Sequence, residues 1–283
     1  MIKFGHFDVL CYRAVLPICN LFNKTNATQY RLEGFSVGDT QITNLGDALV
    51  AFFALVFTIY IILRTHIKYA AVGRLEMIVL FAVYILLLIT QIVTTSGLLL
   101  KDVVVLKWFT AIQLGLISTL AWLLLMNAIV GFQTIEDGTV FSVGGILMGA
   151  MLIFVAVGYI AIDTAFNLTG AFATSSSELK NIPLFVLYLI WPLFAVVTYV
   201  VLETALVLTM LGERKPLLLL YASFLCFAIG QVFMFVISKY IMDGTSGKID
   251  GSMFATLFVF LSIFLVFYYW SSITEDDYED YEF

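Results

Sequence analysis

Long apolar segments alternate with short polar ones along most of the chain. A helix needs about 20 predominantly apolar residues to cross the hydrocarbon core of a bilayer, because its backbone must satisfy its own hydrogen bonds there. Seven segments meet this requirement: 46–64, 77–99, 108–132, 143–166, 183–211, 217–238 and 252–271. Their apolar residues are continuous, which argues against transmembrane β-strands with alternating polarity. The pattern predicts an all-α membrane protein, with a bundle of seven transmembrane helices over residues 46–271.

The composition supports this class and excludes others. The 283 residues are 62% hydrophobic and 12% charged, whereas an average soluble domain is about 45–50% apolar and about 25% charged. An ordinary soluble enzyme, a disordered chain and a nucleic-acid-binding protein are therefore excluded. The net charge of −6 comes from the C-terminus, because six of the 20 acidic residues lie within 275–283.

Basic residues do not decide which way the bundle faces. Arg64, Lys68 and Arg74 follow the first span, and Arg214 and Lys215 separate the fifth span from the sixth. Cytoplasmic loops are enriched in Lys and Arg, so these residues favour a lumenal N-terminus. The opposite side carries a similar number of basic residues near its spans, and the rule alone is inconclusive.

Two features of the first 45 residues break this tie. Asn23 and Asn26 each begin an Asn-x-Thr sequence, which is an N-glycosylation site only on a lumenal segment. Cys11 and Cys19 share that segment and can pair only in an oxidising compartment. The sequence therefore predicts a polar lumenal arm over 1–45 and an acidic cytoplasmic tail over 272–283.

We expect Cys11 and Cys19 to form a disulfide that closes a short loop around Pro17. Closing such a loop removes conformational entropy from the unfolded chain. The alternative is two free thiols.

Glu203 is a carboxylate within the fifth span. An acid at the centre of a membrane helix costs about 2.5–3.5 kcal/mol on insertion scales, so its side chain should face the bundle or a cavity. It acts either as a relay for protons or substrate or as a hydrogen-bonded packing residue. The second interpretation is preferred, because the polar residues of the other spans are chiefly neutral: Gln91, Gln113, Asn127 and Gln231. Asp47 and Asp163 lie near span ends, where contact with headgroups and water is expected.

No pattern in the chain indicates catalysis. His6 and His66 are the two histidines, and they fall on opposite sides of the predicted membrane. The three cysteines lack metal-ligand spacing, and Cys226 is expected to be a small packing residue. The HExxH, GxSxG and P-loop patterns are absent. We therefore predict no catalytic, cofactor or metal site.

Seven spans also allow a receptor or a small-solute transporter, which remains the alternative function. The seventh span lacks the lysine that a retinal protein requires, and broken helices in matched halves, typical of transporters, are not indicated. Gly145 and Gly149 form a small-xxx-small pair in the fourth span. Such pairs allow helices to approach closely, and packing within the chain is the preferred interpretation.

Several short motifs, in order along the chain, resemble one family. They are Leu16-Pro17-Ile18-Cys19, Tyr69-Ala70-Ala71-Val72-Gly73-Arg74-Leu75-Glu76, Ala111-Ile112-Gln113-Leu114-Gly115, Trp122, Gly131-Phe132, Glu136-Asp137-Gly138-Thr139, Gly230-Gln231-Val232, Asp250-Gly251 and Glu279-Asp280-Tyr281-Glu282-Phe283. The chain resembles the fungal chitin synthase export chaperones, which are membrane proteins of the endoplasmic reticulum. Glu203 departs from the neutral polar residue expected there, so no family role is assigned to it.

The resemblance implies a non-enzymatic function without a cofactor. A chaperone of this family binds a chitin synthase, a multi-spanning glycosyltransferase, and enables its folding and export, which supports cell-wall chitin synthesis. It implies seven spans, a lumenal N-terminus, and residence in the endoplasmic reticulum membrane or onward travel with the client. Chitin synthase, vesicle-coat machinery and membrane lipid are the expected partners.

Two charged segments are candidate partner contacts. Glu136 and Asp137 are suited to pairing with basic residues of the client, and a solvated turn is an equally good interpretation. The tail holds further candidates for a sorting or client-contact peptide: Asp277, Glu279, Asp280, Glu282 and Phe283. Clustered carboxylates repel one another, so the tail should be extended. The alternative is a solubilising terminus.

Overall fold

Seven long helices form the framework of the computed structural model of this chain. The structure describes residues 3–22, 32, 34–37, 40–69, 71–97, 102–133, 137–172, 179–212 and 214–274. Within those residues the helices long and apolar enough to cross a membrane are Leu45–Ile67, Arg74–Thr95, Val103–Gly131, Val140–Phe166, Ile182–Met210, Lys215–Gly244 and Gly251–Ile273. The predicted fold class is confirmed.

The observed spans match the predicted ones to within five residues, except at the end of the sixth. That helix was expected to end at 238 but continues to Gly244. Lys239 and the residues after it extend the helix past its apolar segment. A long apolar stem lets a lysine lie beside a helix while its ammonium group reaches polar surroundings.

Side chains at the helix starts explain several boundaries. Asn44 Oδ1 accepts a hydrogen bond from Asp47 N, at 3.2 Å, at the start of the first span. Thr139 Oγ1 accepts from Ser142 N, at 3.2 Å, before the fourth span, and Asn181 Oδ1 accepts from Leu184 N, at 3.0 Å, before the fifth. Short polar side chains satisfy the free backbone N–H groups of the first turn.

The packing order of the spans places the core between the first, second, third and seventh. The seventh span packs against the sixth and the first, the second lies between the first and third, and the third also contacts the fourth and fifth. Leu80, Phe81, Tyr84 and Leu88 of the second span are buried in this core. The fifth span therefore packs mainly on the third, whereas the sixth packs mainly on the seventh.

The fifth and sixth spans are irregular helices. Both contain π-helical turns, at Val186–Ile190 and Val207–Leu211 in the fifth and Phe233–Ile237 in the sixth. Pro192 follows the first of these turns and lacks the N–H that a regular helix would direct at Tyr188 O. Turns of this kind interrupt regular hydrogen bonding and recur at functional sites.

The beginning of the arm is packed rather than exposed. It contains the short helix Asp8–Arg13 and the 3₁₀ turn Pro17–Leu21, and a disulfide joins Cys11 to Cys19 with their Cα atoms 5.8 Å apart. Apolar side chains of this segment form a buried cluster with the third, fourth and fifth spans; its fully buried arm members include Phe7, Ile18 and Leu21. The expectation of a polar arm is therefore wrong for residues 3–22.

A small hairpin precedes the first span. Strand β1, Phe35–Val37, pairs antiparallel with strand β2, Thr40–Ile42, with Phe35 opposite Ile42. Thr43 N then donates to Ser96 O, at 3.1 Å, which ties the chain to the end of the second span. The end of the bundle where the first span begins is called the arm end below, and the end where the seventh span finishes is called the tail end.

Candidate functional site

Asp47 lies at the centre of a polar cluster near the arm end. Its carboxylate accepts hydrogen bonds from Thr256 Oγ1, at 2.6 Å, and from Gln91 Nε2, at 3.0 Å. The cluster thus joins the first, second and seventh spans. Asp47 is fully buried, so the expectation that it contacts headgroups and water is wrong. The hydrogen bonds offset the cost of removing the carboxylate from water.

Asp163, at the end of the fourth span, is also fully buried. One carboxylate oxygen accepts from Thr169 N, at 2.6 Å, and the other from Phe172 N, at 2.9 Å. The expected contact with headgroups is again wrong, because the carboxylate holds the following loop against the helix end.

A second polar cluster fixes the start of the seventh span to the start of the first. Asn44 Nδ2 donates to Asp250 Oδ1, at 2.9 Å, and to Ser252 Oγ, at 2.7 Å. Asp250 Oδ1 also accepts from Ser252 N, at 3.1 Å. Burial raises the pKa of Asp250, although the hydrogen bonds from Ser252 counteract part of this effect.

Gln113, predicted as an intramembrane polar residue, lies beside the second span and is buried. Its Oε1 accepts a hydrogen bond from Thr94 Oγ1, at 2.8 Å. No hydrogen bond to Gln113 Nε2 occurs among the described residues. The N–H groups of Gln113 Nε2 are therefore available to donate hydrogen bonds inside the bundle.

A cavity of about 470 Å³ lies between the second, third, fifth, sixth and seventh spans. Its walls are mainly apolar, but Asp47, Gln91, Gln113 and Gln231 contribute to the lining. Gln231 is half-buried and makes no side-chain hydrogen bond within the described part of the chain. Three of the intramembrane polar residues named from the sequence, Gln91, Gln113 and Gln231, thus meet at one cavity.

Glu203 does not line this cavity. It is buried, and its Oε2 accepts a hydrogen bond from Tyr269 OH of the seventh span, at 2.7 Å. None of the neutral candidates that the sequence offered is its observed partner; for example, Asn127 Nδ2 donates to Leu123 O, at 2.8 Å. This geometry favours a hydrogen-bonded packing role over a relay.

Tyr269 and its neighbour show where sequence reasoning failed. Aromatic residues at the end of a span, such as Tyr268, Tyr269 and Trp270, are typical of an interfacial belt, yet Tyr269 is 1% and Trp270 is 7% exposed. Trp270 Nε1 donates to Val72 O, at 2.9 Å, in the loop after the first span. Only Tyr268 of the three is exposed as a belt requires, because consecutive residues of a helix point in different directions.

The loop before the fourth span is tied to the loop after the first. Asp137 Oδ2 accepts from Gly73 N, at 2.9 Å. Glu76 Oε1 accepts from Gly138 N, at 3.0 Å, and from Ser142 Oγ, at 2.9 Å. At least one carboxylate oxygen of Asp137, which was predicted to contact a partner, therefore binds the backbone of this chain instead.

The two glycines of the small-xxx-small pair have different surroundings. A Cβ atom on Gly149 would lie 2.6 Å from Trp122 Cζ2, so this glycine permits the close contact of the third and fourth spans. A Cβ on Gly145 would have nothing within 4 Å. Exposed side chains beside Gly145, including Met148 and Met151, continue this open face along the fourth span.

Other predicted positions lie outside the described residues. These are the sequon residues Asn23 and Asn26, the loop residue Glu136, and the tail residues Asp277, Glu279, Asp280, Glu282 and Phe283.

The described residues contain no group of three or more His, Cys, Asp or Glu side chains that could hold a metal ion. His6 and His66 lie at opposite ends of the bundle, as expected. The site is a hydrogen-bonded membrane interior with a cavity and an open helix face. Fold and site together define a polytopic helical membrane protein.

Comparison with known proteins identifies the family. A family model described as chitin synthase export chaperone matches residues 3–282. Proteins named chitin synthase export chaperone are similar along 98% of this chain. One from Coccidioides immitis is 32% identical and one from Phaeosphaeria nodorum is 33% identical, and this chain covers 84% of the length of each. One from Cryptococcus neoformans is 31% identical and covered over 76%. The chain belongs to the chitin synthase export chaperone family, which is not a family of enzymes. No solved structure matches it.

Proposed function

We propose that this protein is a membrane chaperone that binds a chitin synthase and enables its folding and export from the endoplasmic reticulum. The family match over residues 3–282 carries this proposal. A client with many membrane helices exposes polar or poorly packed faces until its own helices assemble. A stable helical bundle can cover those faces, because close packing and interhelical hydrogen bonds drive association within a bilayer.

The proposed orientation has a lumenal arm and a cytoplasmic tail. The pairing of Cys11 with Cys19 supports it, since disulfides persist in oxidising compartments. Arg64 and Arg74 near the tail end agree with a cytoplasmic position. Treatment of the protein with an endoglycosidase should increase its gel mobility, and an N23Q/N26Q double variant should not respond. Absence of any shift in the unaltered protein would contradict lumenal glycosylation of the arm.

The open face of the fourth span is the proposed contact for client helices. Gly145 leaves room for the backbone of a second helix, and Met148 and Met151 present flexible side chains that adapt to different partners. Glu136 and the acidic tail are proposed to add polar contacts, either with the client or with vesicle-coat machinery. Asp137 is proposed to support this loop through its bond to Gly73.

The first experiment follows a tagged chitin synthase in a strain that lacks this protein. The synthase should be made but retained in the endoplasmic reticulum, and chitin deposition should fall. Normal delivery of every synthase to the cell surface would refute the proposal.

A second experiment tests the contact face. Gly145→Leu adds bulk where a Cβ meets no atom of this chain, so the bundle should fold normally while recovery of the synthase by affinity purification falls. Leu218→Phe is the control, because Leu218 is 75% exposed on the sixth span. Equal recovery with both variants would remove the fourth span from the interface. A receptor or transporter would bind or move a solute without recovering a synthase.

A further inference from the structure

The cavity between the spans is too large to be a packing imperfection. Protein interiors leave few voids larger than a water molecule, whereas small-molecule sites occupy about 300–1,000 Å³. This cavity has a volume of about 470 Å³. It follows the second span from Leu80 to Thr95, which corresponds to about 22 Å of helix. An elongated ligand fits that shape.

The cavity reaches the lipid-facing surface beside the fifth span. Leu193 lines it and is 55% exposed. The fifth span packs on the third span, and the sixth span packs on the seventh. Near the tail end, a hydrogen bond of 3.3 Å between Thr204 Oγ1 and Tyr221 OH joins the fifth span to the sixth. The opening therefore lies between these two spans nearer the arm end, where hydrocarbon chains of the bilayer have access.

Polar groups without partners face the arm-end part of the cavity. Gln113 is 2% exposed, and its Nε2 makes no hydrogen bond among the described residues. Gln91 uses Nε2 to bind Asp47 and Thr256, which leaves its Oε1 as an available acceptor. Gln231 offers both an acceptor and a donor. Buried polar groups of proteins are normally hydrogen-bonded, and the hydroxyl of Tyr84 in the cavity wall is fully buried without a partner among the described residues. This hydroxyl and the amides together indicate a ligand that both donates and accepts hydrogen bonds.

The charges of the lining restrict the headgroup of that ligand. Within the described residues no Lys, Arg or His lines the cavity, and Asp47 is its one charged residue. A phosphate would lack a cationic partner and would be repelled by the carboxylate. Asp47 already accepts bonds from Thr256 and Gln91, so it does not call for a cationic amine. A hydroxyl group matches the available donors and acceptors.

The arm closes the end of the cavity that carries these polar groups. Val15 and Pro17 contribute to the lining, and both lie within the loop closed by the Cys11–Cys19 disulfide. This cover separates the amides from bulk water.

We propose that the cavity binds one membrane lipid with an uncharged hydroxyl head. The head binds Gln113, Gln91 and Gln231, and the hydrocarbon body extends between the fifth and sixth spans. This inference goes beyond the chaperone function and requires no client.

The test uses the full-length protein in phosphatidylcholine vesicles with three photoactivatable probes: a sterol, a diacylglycerol and a phosphatidic acid. After irradiation, labelled peptides are identified by mass spectrometry. The sterol or the diacylglycerol should label lining residues of the fifth and sixth spans. Comparison of these two probes shows which class of lipid supplies the hydroxyl head. Excess unlabelled lipid of the same kind should suppress labelling.

Variants at the opening provide the matched comparison. Val196→Trp places an indole in the lining and should reduce labelling at least tenfold, whereas Val197→Trp places it on the 43% exposed neighbouring position and should leave labelling unchanged. Gln113→Leu should weaken binding about three- to tenfold, as expected for one lost neutral hydrogen bond. This variant decides the question if Val196→Trp does not fold.

Three results would overturn the proposal. They are equal labelling of the cavity by phosphatidic acid, no specific labelling by either neutral probe, and equal effects of the tryptophans at 196 and 197. Cross-linking of a client segment to the same peptides in the intact complex, with loss of lipid labelling, would assign the cavity to a protein instead.

Discussion

The contact between the third and fourth spans provides a sharp test of the packing. In Gly149→Ala the new Cβ would lie 2.6 Å from Trp122 Cζ2 and 2.9 Å from Trp122 Nε1. Trp122 Nε1 also donates to Ile146 O, at 3.2 Å, so displacing the indole strains that bond. Overpacking of this kind costs about 1–3 kcal/mol, while replacing a helical glycine by alanine gains about 0.5–1 kcal/mol. We expect a net loss of up to about 2.5 kcal/mol, the overpacking cost less the helix gain.

Gly145→Ala is the matched control, four residues earlier in the same helix. Its Cβ meets no atom within 4 Å, so the helix gain remains and the variant should be stabilised by about 0.5–1 kcal/mol. The two alanines should therefore differ by about 2 kcal/mol in the free energy of unfolding, measured in detergent with the intrinsic fluorescence of the tryptophans. Equal stability of the two variants would refute this account of the glycine pair.

Three further predictions concern the membrane interior, the arm and the tail. Tyr269→Phe removes the hydrogen bond to Glu203 and should lower the free energy of unfolding by about 1–3 kcal/mol. The double variant Tyr269→Phe/Glu203→Gln should be less destabilised. Equal thermal stability of the single variant and the unaltered protein would contradict this prediction. Non-reduced peptide mapping should recover Cys11 linked to Cys19, and Cys11→Ser should destabilise the protein by about 2–3 kcal/mol; alkylation of both cysteines without prior reduction would exclude the bond. Replacing the six acids of 275–282 by Asn or Gln should preserve membrane insertion and slow export of the chaperone or its synthase, followed by imaging at matched abundance; unchanged export would leave the tail a solubilising terminus.

The sequence was sufficient to predict the seven spans because the bilayer imposes one requirement on every crossing segment. Length and apolar continuity are local properties, and they can be read without knowing any contact. The same reasoning found Gln113, Gln231 and Glu203 as intramembrane polar residues. It did not find their surroundings, because composition does not say which face of each helix points inward.

The missed features all depend on contacts between distant parts of the chain. Asp47 has its partner Thr256 in the last span, and Glu203 has its partner Tyr269 there. The apolar residues of the arm, such as Phe7, lacked the length of a span and were grouped with a polar segment. A signal was present in the sequence, since Phe7, Leu10 and Ile18 are more apolar than an exposed arm requires.

The bond between the first and last spans has a consequence for the synthesis of the protein. Asp47 and Thr256 are 209 residues apart. At a translation rate of about 5–20 residues per second, roughly 10 to 40 s pass before the ribosome completes the partner of that carboxylate. During this interval the first span carries an acid whose final hydrogen bond is not yet available, and its place in the first turn of the helix keeps the carboxylate away from the bilayer centre, where an acid costs most. The carboxylate therefore completes its polar contacts only at the end of synthesis, when the last span packs against the first.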